Sequence, residues 1–283
     1  MNFEYLGDPK MGIVVYKNSI PSPKNLILDL EQALTNSSDD IFSWRDALVG
    51  EGVKMPEYRD CVDFKVNKNN IDSCPEEFYL AKKVYTVVEE ALLKNLKSYQ
   101  QKYNMNMQYM EAINFVRYGE GQHFAIHADH GFSYICTVSS VVYLNDNYDG
   151  GELWFPYLDI KWKPSEGDMV FFPSTYIYAH ASLPVTSGVK YSAVTMFDYN
   201  DDAHSYNGFS RDMNYSQYNM NKTITNASEN HGNQKQQHNS LDNESLRKII
   251  REEIQVYAME SWKQWQENGG ASQEYSQYVA GVR

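Results

Sequence analysis

The sequence predicts a mainly β, α+β fold: a double-stranded β-helix, or jelly roll, carried on N-terminal helices and followed by a polar linker and a C-terminal helix. Three observations predict it. From about Gln108 to Phe197 the chain alternates short runs rich in Val, Ile, Phe and Tyr with Gly, Asn, Asp and Pro, the pattern of short antiparallel strands joined by turns. Upstream lie two stretches with apolar residues at helical spacing. Over residues 204–242, aliphatic residues nearly vanish.

From the N-terminus, MGIVVYKNSIP (residues 11–21) reads as a short β-branched strand closed off by Pro21 and Pro23. From Asn25 onward, Leu26, Ile27, Leu30 and Leu34 predict a first amphipathic helix. Residues 36–76 are turn-rich and yield no element. Glu76 to about Tyr103 predicts a long helix whose apolar stripe runs Phe78, Ala81, Val84, Tyr85, Val88, Leu92 and Leu96. Cys74-Pro75 suits its start, because proline is tolerated in a first helical turn. The strand candidates follow: EAINFVRY, QHFAIHAD, YICTVSSVVYLN, GELWFP, DIKWKP, DMVFFP and YSAVTMF. Two helices followed by roughly eight strands predict a jelly roll supported on one side by helices.

Residues 204–242 are dominated by Asn, Ser, Gln, His and Tyr. Such a segment cannot bury enough apolar surface to offset its ordering entropy, so a linker is expected. ESLRKIIREEIQVYAMESWKQWQ, residues 244–266, predicts a last helix capped by Asn243 or Asp242, with Leu246, Ile250, Ile254, Tyr257 and Trp265 on its apolar face. The expected division is therefore a domain over 1–203, a linker over 204–242, and a helix with its tail over 243–283. A lone helix of that length is marginal in water; its apolar face is expected to pack on the core, on a second copy or on a partner.

Formal net charge is −12, from 25 basic and 37 acidic residues. That field repels phosphate and disfavours nucleic acid or anionic lipid as partners. The three cysteines, Cys61, Cys74 and Cys136, include no CxxC pair, which argues for a reducing compartment. The opening MNFEYLGDPK lacks a basic region followed by an apolar run, and no apolar stretch nears the roughly 20 residues a spanning helix needs. A soluble, cytoplasmic protein is expected.

Three of the seven histidines fall in QHFAIHADH, residues 122–130. In a strand, alternate side chains share a face, so His123, Ala125, His127 and Asp129 are expected to point one way. An imidazole and a carboxylate two apart supply two-thirds of the facial triad of non-haem iron oxygenases. Alone, H-x-D is a weak signal. An HxxxH zinc-protease reading fails because Phe124 stands where the general-base Glu would be. A third ligand must come from a distant strand, and His180, 53 residues after His127, is available near the end of an apolar strand. Lys190 follows ten residues later at the head of another strand, where a cation could hold the remote carboxylate of a dicarboxylic co-substrate. Tyr118, nine residues before His127, could reach the same carboxylate.

With these residues in place, a resemblance emerges. YGEGQHFAIHADH resembles the Y-x-x-G-Q-x-x-x-x-H-x-D segment of prolyl 4-hydroxylases, which depend on iron(II) and 2-oxoglutarate. VVYLNDNYDGGELWFP looks like their Y-L-N-x(n)-G-G-E-T-x-F-P run, and GDMVFFPS…HASLPVTSGVKYS is similar to their G-x-x-x-x-F…H-x-x-x-P-V-x-x-G-x-K-Y-x segment. The resemblance spans about residues 109–198. It implies His127, Asp129 and His180 as iron ligands and catalytic residues, with Lys190 and Tyr118 on the co-substrate. It further implies Fe(2+), 2-oxoglutarate and O2 as cofactors, ascorbate in support, and hydroxylation of a peptide or protein substrate with release of succinate and CO2.

Three departures stand out. HGFSYICTVSS has no basic residue after H-x-D, Leu153 replaces the usual threonine of the GGET run, and Met196-Phe197 stands where tryptophan is common. They leave the ligands intact and bear on which residue is hydroxylated. The same chemistry on a free amino acid or other small molecule is the nearest rival. A cupin-like binding or assembly protein, docking or self-associating through residues 244–266, is a rival of another class. His123 shares the expected face of His127 but lies four residues, about 13 Å, away along the strand, which assigns it to the substrate side or to support of the ligands. His130 is expected in a turn, Cys136 in the core, and Glu152 in a structural role in its turn.

Overall fold

Apolar stripes set the helices. Pro23 at the first helical position, preorganised there by its fixed φ, opens α1 (Pro23–Leu34) two residues before the expected start. Leu26, Leu30 and Leu34 are its buried side. A short α2 (Lys68–Asp72) follows a capping box at Asn67 and Asn70. The long α3 (Tyr79–Tyr103) is preceded by a 3-10 turn over Glu76–Phe78, so the predicted start at Glu76 belongs to that turn. The computed structural model describes residues 2–49, 52–131 and 135–200. The predicted linker and C-terminal helix lie outside the described residues.

In chain order the strands are β1 (Phe3–Tyr5), β2 (Val14–Tyr16), β3 (Arg45–Asp46), β4 (Arg59–Asp60), β5 (Val62–Val66), β6 (Tyr109–Met110), β7 (Ile113–Tyr118) and β8 (His123–His127). Then come β9 (Val138–Tyr143), β10 (Asp149–Gly150), β11 (Leu153–Phe155), β12 (Ile160–Trp162), β13 (Met169–Pro173), β14 (His180–Ser182), β15 (Val185–Ser187) and β16 (Lys190–Asp198). The larger sheet runs β1-β2-β13-β9-β16-β7-β5-β3, with β6 also on β16; the smaller runs β12-β11-β14-β8-β4; β10 and β15 pair separately. Every pairing is antiparallel. This is the predicted jelly roll backed by helices.

The larger sheet is buried on both faces, which explains the nearly continuous apolar runs of β2 and β13. Val14, Tyr16, Phe171, Val142 and Phe197 pack toward α1 and α3. Ile13, Val15, Val141, Val170 and Phe172 alternate with them and meet Leu153 and Phe155 of the smaller sheet. Two of the departures thus sit in cores: Leu153 fills the space between the sheets, and Phe197 stacks on Phe171 at 5.8 Å on the helical side.

The turn-rich stretch 36–76 contains β3, β4, β5 and α2. β3 and β4 have only two residues each, too short for any periodicity to register. A second difference concerns His180. The apolar strand β13 stops at Pro173, since proline has no N–H to continue a ladder. A 3-10 turn over Tyr176–Tyr178 intervenes, and His180 opens β14 rather than ending the strand before it.

Candidate metal centre

β8 and β14 are neighbours, and His127 lies directly opposite His180. The next matched pair is Phe124 with Ser182: between the pairs, two residues on β8, Ala125 and Ile126, stand against one on β14, Ala181. That extra residue is a β-bulge, and a bulge resets the alternation of faces. His127 therefore shares a face with Phe124, and their rings stack at 3.6 Å with planes 14° apart. This corrects the expected face. His123 does not point with His127; it is buried with Nε2 3.2 Å from the Glu57 carbonyl.

Asp129 follows the strand. Its Oδ1 is 3.5 Å from His127 Nε2 and its Oδ2 is 3.9 Å from His180 Nε2. Ligand atoms of the three residues all lie within 4.8 Å of one another. Each imidazole is oriented by its other nitrogen: His127 Nδ1 is 2.8 Å from the Ala125 carbonyl and His180 Nδ1 is 3.0 Å from the Tyr178 carbonyl. A carbonyl only accepts, so each Nδ1 carries the proton and each Nε2 presents a lone pair toward Asp129.

The electrostatics suit ligation. Burial pushes the His180 imidazole down to about 4, against the pull of Asp129. Burial alone would raise the Asp129 carboxyl, but His180, His127 and the Ser139 hydroxyl outweigh it and hold it well below the usual carboxylate range. Asp129 Oδ2 is buried without a hydrogen-bond partner, an uncompensated cost for a carboxylate. Two Nε2 lone pairs and an orphaned carboxylate oxygen fit a divalent cation with room for nitrogen and oxygen donors.

Deeper between the sheets, Lys190 lies opposite Tyr118 in the β16–β7 register. Its Nζ sits 5.2 Å from the Tyr118 ring centroid and donates to Gly151 O and Ser182 Oγ, both at 2.8 Å. Both acceptors are neutral, and among the described residues no ion pair includes Lys190. A buried ammonium bonded only to neutral groups fits an incoming carboxylate. The flanking residues Arg117 and Tyr191 alternate to the helical side, where both grip Glu31 of α1 at 3.0 Å. That fixes the register holding Tyr118 against Lys190.

Tyr118 is fully buried, and burial pushes its hydroxyl well above the ordinary value, so it stays a neutral donor. Sequence reasoning missed Ser182, although it shares the face of His180 by simple alternation. It also missed Gly151, Phe124 and Arg59, whose contacts depend on a bulge and on a two-residue strand. His130 sits in a turn with Nδ1 2.6 Å from the Cys136 carbonyl, and Cys136 is buried.

Residues 113–198 match the family model described as the 2OG-Fe(II) oxygenase superfamily. A protein of Acanthamoeba polyphaga mimivirus, provisionally named a prolyl 4-hydroxylase, is 32% identical over 34% of this chain and 48% of the relative. The chain thus spans about half the length of the curated relative it matches. Among solved structures, a prolyl hydroxylase from Trichoplax adhaerens, in complex with a peptide fragment of the hypoxia inducible factor oxygen degradation domain, gives a TM-score of 0.55 at 16% identity. It covers 70% of this chain and 89% of that one. A Pseudomonas putida prolyl-4-hydroxylase gives 0.50 at 18% identity over 67% and 94%. At these identities the two structures establish the fold.

Proposed function

We propose that this protein is an iron(II)- and 2-oxoglutarate-dependent dioxygenase that hydroxylates a peptidyl residue, proline first, with His127, Asp129 and His180 as the iron ligands. The observation that carries the reading is the convergence of two Nε2 atoms and one buried carboxylate within 4.8 Å. The mimivirus relative supports peptidyl proline as the substrate. Ascorbate is the expected supporting reductant, and three unpaired thiols support a reducing, cytoplasmic setting.

When bound, iron(II) with 2-oxoglutarate and O2 supplies the oxidising power for C–H hydroxylation, with succinate and CO2 as co-products. The chain's own residues do the rest. His127 and His180 act as neutral donors, each fixed in one tautomer by a backbone carbonyl. Asp129 contributes the single negative charge and stays ionised through the physiological range. Lys190 binds the remote carboxylate of the co-substrate, with Ser182 and Tyr118 as neighbouring hydroxyls. The apolar walls around Lys190 exclude water, which strengthens each of these charge contacts.

The test is incubation of the iron-loaded protein with 2-oxoglutarate and a panel of proline-rich peptides, reading succinate and mass shifts of one oxygen. Stoichiometric succinate with a shifted peptide is the expected result. Succinate released only with a free amino acid would move the activity to small molecules. No succinate with any of them would leave a binding protein.

A further inference from the structure

Phe124 has two neighbours that matter. His127 lies flat against its ring at 3.6 Å. Arg59, its cross-strand partner in β4, places its guanidinium carbon 4.9 Å from the same ring's centroid. Arg59 is only 7% exposed and is held firmly in place. One terminal nitrogen donates to the Leu48 carbonyl and the other to Asp63 Oδ2, both at 2.9 Å. Asp63 is itself steadied by Asn114 at 3.1 Å. Tyr58 meets Phe124 edge-on at 5.7 Å, and its carbonyl accepts from the Ala125 amide in the bulge.

His127 needs such support. It is partly exposed, at the end of its strand, and its Nδ1 contact with Ala125 O fixes one point of the ring but not the plane. A face contact fixes the plane. We infer that Arg59 is a positioning residue for His127: through the Phe124 ring it holds the imidazole in the orientation that turns Nε2 toward Asp129. This rests on the reading of His127 as a metal ligand.

A charge effect and a positioning effect have opposite signs here. As a cation, Arg59 would repel a bound metal, so removing it would tighten metal binding. As a positioning group, its removal weakens binding, because groups that orient a ligand are each worth about 10–100-fold in metal affinity. Such a contact needs no large energy of its own, since it has only to fix the plane of a ring that already lies in place.

The experiment is equilibrium Mn(II) binding to the metal-free full chain, read by the EPR signal of free Mn(II), with the visible spectrum of the Co(II) form as a geometric readout. Arg59→Met and Phe124→Leu should each weaken Mn(II) about tenfold and alter the Co(II) spectrum. The double variant should be no weaker than Phe124→Leu alone, and Phe124→Tyr, which keeps the ring, should stay near wild type. Should Arg59→Met fail to fold because it strands Asp63, Arg59→Met/Asp63→Leu removes both charges and decides the same question. Unchanged or tighter binding without Arg59, or additive losses in the double variant, overturns the inference while leaving the metal site standing. A wild-type chain that does not bind Mn(II) overturns both.

Discussion

Lys190 is a cation kept between two apolar layers, and that placement has measurable consequences. Burial, with Lys163 nearby adding to it, pushes its ammonium down to about 7 from an ordinary 10.5. Between those values the unfolded chain holds a proton that the native state has lost. The burial therefore costs stability in full below pH 7, and the cost is relieved as pH rises toward the unfolded value. Co-substrate binding reverses the balance, because a carboxylate beside Nζ favours the charged form. At pH 8, 2-oxoglutarate binding should take up close to one proton, read by calorimetry in two buffers of different ionisation heat. Lys190→Met should abolish the uptake and weaken 2-oxoglutarate roughly a hundredfold, as expected for loss of a buried charge pair. Binding by the wild type without proton uptake would remove the lysine from its assigned role.

At the scale of elements, the bulge in β8 and the glycine turn at β10 do the positioning. Regular alternation would have sent His127 to the face of His123; one extra residue brings it beside Phe124 instead. Gly150 and Gly151 both take positive φ, +67° and +65°. At Gly150 a Cβ would press into the Pro184 carbonyl oxygen, and at Gly151 it would come within 3.2 Å of Lys190 Cδ. The turn is packed against the strap that follows β14, and the Gly151 carbonyl accepts a hydrogen bond from Lys190 Nζ. Gly150→Ala combines backbone strain with that clash and should cost about 2 kcal/mol or more, read as a lower urea midpoint. Weaker 2-oxoglutarate binding should accompany it. Unchanged stability would mean that the turn moves freely and does not hold Lys190.

At the scale of the molecule, two of the apolar clusters among the described residues lie on opposite faces of one sheet. The helical layer stabilises the larger sheet from behind, so damage there should reduce stability with little effect on the chemistry. Leu30, fully buried on α1, is the cleanest probe. Leu30→Ala should cost about 2–5 kcal/mol by denaturant unfolding, while co-substrate affinity of the remaining folded protein stays near wild type. A large affinity loss at unchanged stability would place α1 in the site. Expression of residues 1–203 alone should retain Mn(II) and 2-oxoglutarate binding; loss of both would assign the C-terminal stretch a part in the fold.

The candidate ligand types and their approximate places were legible in the chain itself. Histidine and aspartate two apart in a β-rich run, a distant His180 and a lysine heading the last strand are local chemical facts, and apolar periodicity over α1, α3 and the longer strands is equally local. The two-residue strands β3 and β4 were not legible, because they exist only through pairing with β5 and β8. Nor was the bulge, since a single inserted residue leaves no mark on composition or spacing. The approach of His180 to Asp129, the orphaned Oδ2 and the ammonium without a carboxylate are properties of distance and solvent exclusion. Those arise only when strands far apart in the chain close around a shared interior, so the tertiary structure alone decided them.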